Sequence, residues 1–295
     1  MQTSYLRYMV EIERTRSITQ AAANLFLSQP NLSRILREIE EQLGYALFER
    51  TSRGVRPTEE GNAFLRHARR ILSEVEAIEG IGVGRRQPDR FHICMPRSTG
   101  IVAMTIDYLN TLPPDRPLDA MLRECHVRRA FDSITAGEAD LAIIRYRAEY
   151  QRYFEDRAVE NRLSFETLNS YRYRIILRRD HPLAGSGEIA VSDLDALTEI
   201  IHGDTFRTHG ALGGPSKRIH SVDRHAQLML VSRVPNAFMW STSVLPEDLA
   251  RWELVQRNVV DNRTEYCNAL VCVEPEQLND IERSFADYVR KRHGR

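Results

Sequence analysis

The chain has 295 residues, 42% of them hydrophobic and 28% charged, with a formal net charge of zero. That length suits two or three domains and supplies apolar residues for real cores. The charge balance excludes a global basic field for nucleic acid, so any basic footprint has to be local. The cations are almost all arginine, with lysine only at Lys217 and Lys291. No apolar run is long enough to cross a bilayer, and the first residues read as a charged amphipathic helix rather than a signal peptide. Cys94, Cys125, Cys267 and Cys272 lack zinc-site spacing and read as buried thiols of a cytoplasmic protein, with a Cys94–Cys125 redox pair left open.

Tyr5, Tyr8, Met9 and Ile12 recur at helical spacing. "SITQAAANL" follows, with Ser17 and Gln20 in a capping box and Ile18, Ala21, Ala22 and Leu25 on one face. After the short turn Phe26-Leu27 comes "SQPNLSRILREIEEQLG". Its buried stripe is Leu32, Ile35, Leu36, Ile39 and Leu43. Ser28 is placed to cap the helix through its hydroxyl, and Pro30 falls in the first turn, where a missing N–H costs nothing. Gly44 supplies the stop. The pair makes a helix-turn-helix whose second helix exposes Gln29, Asn31, Ser33, Arg34 and Arg37, side chains suited to base edges and phosphates.

"ALFERTSRGVRPT" reads as a hairpin: a strand over Ala46 to Arg50, a turn over Thr51 to Gly54 and a return over Val55 to Pro57. Its Arg50, Arg53 and Arg56 form a local basic wing. In "TEEGNAFLRHARRILSEVEAIEGIG", Phe64, Ala68, Ile71, Val75 and Ile78 form a heptad seam widened by Leu65 and Leu72, capped by Thr58. Gly80 to Arg90 reads as a hinge.

From about Tyr5 to Leu72 the chain resembles, without a gap, the DNA-binding domain of LysR-type transcriptional regulators. The pieces "AAANLFLSQPNLSR", "LG" before "LFER", and "TEEG" carry the resemblance. It implies a recognition helix in the major groove with Gln29, Pro30, Asn31, Ser33 and Arg34 at contact positions. It also implies a wing touching the backbone and minor groove through Arg50, Arg53 and Arg56. Ser28 and Arg37 complete the expected DNA-binding set. Paired linker helices would make a dimer, and the family suggests a tetramer.

After Arg90 short apolar runs alternate with helical stretches: strand "FHICMP", helix "GIVAMTIDYLNTL", strand "PLDAMLREC", helix "VRRAFDSITAGEAD", strand "LAIIR". That βαβαβ order predicts a parallel sheet. Further strands are expected in "YRYRIILRR", "EIIHG" and "YCNALVCVEP", with helices at "VSDLDAL", opened by Ser192, and "EQLNDIERSFADYVRK". Pieces such as "AGEADLAII" and "RRDHPLAG" extend the family resemblance. It implies an effector-binding domain of two α/β subdomains similar to periplasmic binding proteins, with a small-molecule effector between them.

The expected organisation is therefore a winged helix-turn-helix over 1–58, a linker helix and hinge over 59–90, and an effector domain over 91–295. Its first subdomain takes about 91–161 and 266–295, its second about 162–265. The candidate cleft residues are Arg97, Ser98 and Thr99, then Arg145 and Tyr146, then His202, Asp204 and Thr205. Phe238 and Trp240 follow the Pro235-Asn236 turn, where the family usually has glycine, and are expected to narrow or fill the pocket. No catalytic group, metal site or cofactor is expected, and "GALGGPSK" lacks phosphate-loop spacing. The reading is a DNA-binding regulator modulated by a small molecule. A cysteine redox switch on the same head, or an enzymatic or solute-binding domain with a passenger helix-turn-helix, are the alternatives.

Overall fold

The computed structural model describes residues 2–52, 54–81, 88–203, 215, 217–242 and 244–293. The head opens with α1 (Thr3–Thr15), α2 (Ile18–Asn24) and α3 (Gln29–Leu43). They close on Leu6, Met9, Ile12, Ala21, Ala22, Leu32, Ile35, Leu36 and Ile39, so the helical periodicity places the core correctly. Ser17 caps α2 by accepting from the Gln20 amide (3.3 Å). The Gln20 side chain donates instead to Asn24 (2.9 Å), so only half of the expected box forms. Gly44 ends α3 with φ +78°.

The wing pairs β1 (Phe48–Thr51) with β2 (Gly54–Pro57), from Phe48↔Pro57 to Thr51↔Gly54. The first strand starts later than Ala46 because Leu47 is fully buried and the Leu47 and Phe48 amides donate to Glu40 Oε1 (2.7 and 3.2 Å). That carboxylate, seated on α3, fixes the root of the wing. A Cβ on Gly54, which has φ +111°, would lie 2.3 Å from the Arg16 carbonyl oxygen that accepts from the Val55 amide. Only glycine meets both conditions.

Helix α4 (Glu59–Ile81) begins at Thr58, whose hydroxyl accepts from the Gly61 amide (2.9 Å) as expected. Gly61 lets α4 approach the wing root: a Cβ there would lie 1.9 Å from the Leu47 oxygen. The heptad seam is divided. Phe64 and Ala68, with Leu65 and Leu72, are buried in the head's own core. Ile71 and Ile78 stand 44% and 66% exposed, and Val75 is half-buried. The physical reason is that α1 already covers the first turns of α4, leaving the outer turns for a partner.

The first sheet has the order β4-β3-β5-β12-β6. Its strands are β3 (Asp89–Met95), β4 (Leu118–Glu124), β5 (Leu141–Arg147), β6 (Ser164–Arg172) and β12 (Glu265–Cys272). Strand β3 runs parallel to β4 and β5, as the βαβαβ pattern predicts, and β12 lies antiparallel between β5 and β6. Helices α5 (Thr99–Leu109), α6 (Val127–Thr135), α7 (Gln151–Glu160) and α10 (Asp280–His293) accompany it. Ile101, Met104, Thr105 and Tyr108 are the buried face of α5, the face read from the sequence.

The second sheet has the order β11-β7-β10-β8-β9. It comprises β7 (Arg174–Arg178), β8 (Thr198–His202), β9 (Lys217–Ser221), β10 (Ala237–Ser241) and β11 (Leu254–Arg257), with α8 (Arg224–Arg233) and α9 (Pro246–Arg251). The crossover between sheets lies at Tyr173 rather than near Asn161, because β6 pairs with β12 in the first sheet. "VSDLDAL" makes a single 3₁₀ turn, Val191–Leu194, rather than an α-helix. The Asp193 carboxylate, accepting from the Ala190 amide (2.8 Å), holds that turn in place of Ser192.

The head meets the first sheet's domain through α4. Arg66 and Arg69 donate to the carbonyls of Thr135 (2.8 Å) and Ala136 (2.7 Å), and Arg69 also pairs with Glu13 of α1.

Candidate nucleic-acid interface and interdomain cleft

On the head, the first turn of α3 stands free of the core. Ser28, Gln29, Pro30, Arg34 and Arg37 are exposed, and Asn31 and Ser33 half-buried. Ser28 has the extended backbone of an N-cap, but its hydroxyl makes no cap bond. The expected cap is therefore absent, and the Ser28 carbonyl alone starts the helix by accepting from Leu32 (3.1 Å). The other side chains hold one another: Gln29 donates to Ser33 (2.8 Å), and Arg34 to Asn31 (3.0 Å) and to Glu38. Arg37 donates to the Ser33 carbonyl (3.3 Å). Glu38 and Glu40 are thus internal partners, one of Arg34 and one of the wing root.

Arg50 and Arg56 are exposed and sit on adjacent strands of the wing, while Arg53 lies outside the described residues. Phe26, which the sequence reading passes over, is 97% exposed with φ +57° in the turn before α3. Its signal is a bulky aromatic in a two-residue turn, where the left-handed backbone turns the ring away from the core.

The cleft between the sheets gathers arginines. Arg97, in the loop after β3, donates to His202 Nδ1 at the end of β8 (3.1 Å). His202 Nε2 in turn donates to the Val222 carbonyl (2.7 Å). Arg145 of β5 donates to the Arg97 carbonyl (3.0 Å) and lies 5.7 Å from the Tyr171 ring centroid. Burial works against the Arg145 charge, and the oxygens of Tyr173 and Tyr171 more than offset it. Arg224, the first residue of α8, carries no sequence signal of its own. Burial and the charges of Arg145 and Arg97 lower its pKa, while Tyr173 and Glu124 act the other way. Tyr173 stacks on Tyr266 with centroids 4.2 Å apart, giving the crossover a flat aromatic wall. Ser98 is buried, and the Thr99 hydroxyl beside it is buried without a hydrogen-bond partner.

Three expectations change. Tyr146 is not a cleft residue: strand alternation turns it to the opposite face from Arg145. There its ring packs on Phe154 and Phe165 and its hydroxyl meets Thr167 (3.2 Å). Phe238 is fully buried among Ile175, Leu177 and Leu194, and Trp240 packs against the same cluster. They therefore fill the second subdomain's core and do not narrow the pocket. Asn236 adopts φ +53° at the turn where glycine was expected, a conformation asparagine tolerates. Asp204 and Thr205 lie outside the described residues, as do most of the hinge and of "HGDTFRTHGALGGP".

Cys94 and Cys125, at the ends of β3 and β4, share a hydrogen bond that pulls the Cys94 thiol down to about 7. Among the described residues, no cluster fit for a metal ion and no helix long and apolar enough to cross a membrane occurs.

Residues 3–62 match the family model for the bacterial regulatory helix-turn-helix protein of the lysR family. The chain belongs to the LysR family. Among its LysR relatives, a hydrogen peroxide-inducible genes activator of Pectobacterium carotovorum subsp. carotovorum is 28% identical over 193 residues. That match covers 64% of this chain and 60% of the relative. The nitrogen assimilation regulatory protein nac of Klebsiella aerogenes is 33% identical over 146 residues, 48% of each chain. The chain spans about 60% of the length of the first of these curated relatives. In fold it is similar to full-length LysG of Corynebacterium glutamicum with bound effector Arg, at TM-score 0.67, 15% identity and coverage of 99% of this chain and 97% of that one. A full-length OxyR variant from Pseudomonas aeruginosa gives TM-score 0.56 at 17% identity, with 98% and 95% coverage. These relatives are regulators, and the two-domain architecture of this chain is that of full-length LysR proteins.

Proposed function

We propose that this protein is a sequence-specific transcriptional regulator whose promoter binding is modulated by a small molecule in the cleft between its two sheets. The observation that carries the reading is the first turn of α3, which presents Gln29, Asn31, Ser33 and Arg34 beside a wing bearing Arg50 and Arg56. A helix end of hydrogen-bonding side chains reads base edges, and the wing arginines engage phosphates or a narrow minor groove. The exposed Ile71 and Ile78 on α4 suit a parallel or antiparallel partner helix, so that two heads read two half-sites. A ligand that binds one cleft geometry better than another shifts the relative placement of the heads, and no catalysis is needed. The protein would work in the cytoplasm, on double-stranded DNA, as a homodimer or dimer of dimers. The test is salt-dependent binding to the DNA flanking its own gene. Equal affinity for that DNA and a scrambled duplex at all salt concentrations defeats the reading.

A second reading rests on the hydrogen-bonded Cys94 and Cys125 thiols. A hydroperoxide would take the Cys94 thiolate to a sulfenic acid, releasing an alcohol or water, and Cys125 would close a disulfide with loss of water. The peroxide-inducible activator among the relatives supports testing it. If the double Cys94→Ser, Cys125→Ser variant keeps the wild-type response to peroxide in promoter binding, this switch is absent.

A further inference from the structure

Arg97, Arg145 and Arg224 come from three different elements and from both walls of the cleft. Each is only half-buried by its surroundings. Arg145 and Arg97 oppose the charge on Arg224, and Arg224 and Arg97 weigh on each other in the same crevice. Arg145 donates to a carbonyl and to Asn268 (3.4 Å), and to tyrosine oxygens, but among the described residues to no carboxylate. Arg224 makes no ion pair there either; Glu124 acts on it only at longer range. Like charges held together without a matching acid raise the free energy of the empty cleft, and an anion between them relieves it. The surrounding groups are fitted to oxygen-rich ligands. The Thr99 hydroxyl is buried and unpartnered, the Ser98 hydroxyl makes no cap bond, and Asn268 faces the same row as Arg145.

We infer that the cleft recognises a short dicarboxylate, one carboxylate meeting Arg145 and Arg97 on the first subdomain and the other meeting Arg224 on the second. This rests on the reading of the cleft as the effector site. Guanidinium and carboxylate match as planar, two-pronged partners, which a point-charge lysine does not reproduce. A monocarboxylate neutralises one wall only. A dianion bridges both walls and so favours the closed arrangement of the two sheets, the differential binding a switch requires. A cationic amino acid is repelled by the same cluster, which distinguishes this cleft from that of a regulator holding arginine.

The test uses the full chain. Melting temperature and calorimetric binding are measured with succinate, glutarate and adipate, with uncharged succinamide, with benzoate, with arginine and with inorganic phosphate. At least one of the dicarboxylates is expected to raise the melting temperature at millimolar concentration, with the effect shrinking as salt rises. Succinamide and arginine are expected to do nothing. Arg224→Gln is expected to weaken dicarboxylate binding at least tenfold, and Arg224→Lys to recover only part of it. Phosphate matching the best dicarboxylate would make this a general oxyanion site, and no response to any of the three dicarboxylates would remove the assignment. Either outcome overturns the inference, and neither depends on whether a variant folds. Promoter binding by the same wild-type sample is measured in parallel. Intact DNA binding without dicarboxylate binding refutes this inference alone, whereas loss of specific DNA binding refutes the regulator reading.

Discussion

The head builds its recognition surface from one run of chain, Ser28 to Arg37, on a single helix anchored by Leu32, Ile35 and Leu36. The cleft assembles Arg97, Arg145, His202 and Arg224 from four places on two sheets. A surface on one helix inherits its geometry from the helical repeat, so its side chains keep their spacing whatever else moves. A surface spread over two sheets keeps its spacing only while the sheets keep theirs. The difference teaches how one chain can combine a rigid reader with an adjustable sensor. Helix α4 joins them, its inner turns belonging to the head's core and Arg66 and Arg69 reaching the loop after α6.

The strongest way to break that contrast is to empty the head's core. Leu32 is fully buried. Leu32→Ala is expected to cost the head ~2–5 kcal/mol, read as a lower melting transition with the sheet domains' transition unmoved. Equal shifts of both transitions would mean that head and cleft melt as one unit and that the reader is not independent.

Arg34→Ala comes next. It is expected to weaken promoter binding by about 1–3 kcal/mol and to relax the base preference at one position, measured by fluorescence anisotropy. Because Arg34 is exposed, the melting temperature should scarcely change. An unaltered affinity would move recognition away from α3. Ile71→Asp with Ile78→Asp sharpens the role of α4. The expected rise in the dimer dissociation constant is about tenfold or more, ~1.4 kcal/mol, by sedimentation equilibrium. A dimer of undiminished strength would place the contact elsewhere.

The smallest effect lies behind the first sheet. Glu282 is buried on α10, and burial, with Asp140 beside it, raises its pKa to about 8. Between the ordinary carboxylate pKa and about 8, the folded chain holds a proton that the unfolded chain has lost. Stability should therefore fall as pH rises through that window, by at most ~1.4 kcal/mol per unit, and level off above it. Glu282→Gln should flatten the slope in urea melts taken across the window. A slope unchanged by the substitution would assign the pH dependence to another group.

Much of the head was legible because its determinants are local. The stripe from Leu32 to Ile39, the Gly44 stop and the Thr58 cap each follow from residues within a few turns of one another. The missing Ser28 cap and the late start of the wing were not legible. Both depend on the spatial neighbourhood, the latter on Glu40 reaching the Leu47 and Phe48 amides. The seam on α4 read correctly as apolar, but periodicity alone could not divide it between α1 and a partner. In the cleft, Arg97, Arg145 and His202 were found by their positions after strands. Arg224 escaped because it opens a helix with no motif of its own, and Tyr146 misled because adjacent strand residues face opposite ways.

The sequence by itself determined the helix-turn-helix, the wing, the linker helix and the βαβαβ order of the first sheet, since hydrophobic period and capping act over a few residues. Only the tertiary structure decided that β6 joins the first sheet, that Phe238 lies in a core, and that three guanidiniums share one crevice. Strand pairing, burial and electrostatic fields act between residues far apart in the chain, and their outcome exists only once the chain has closed on itself.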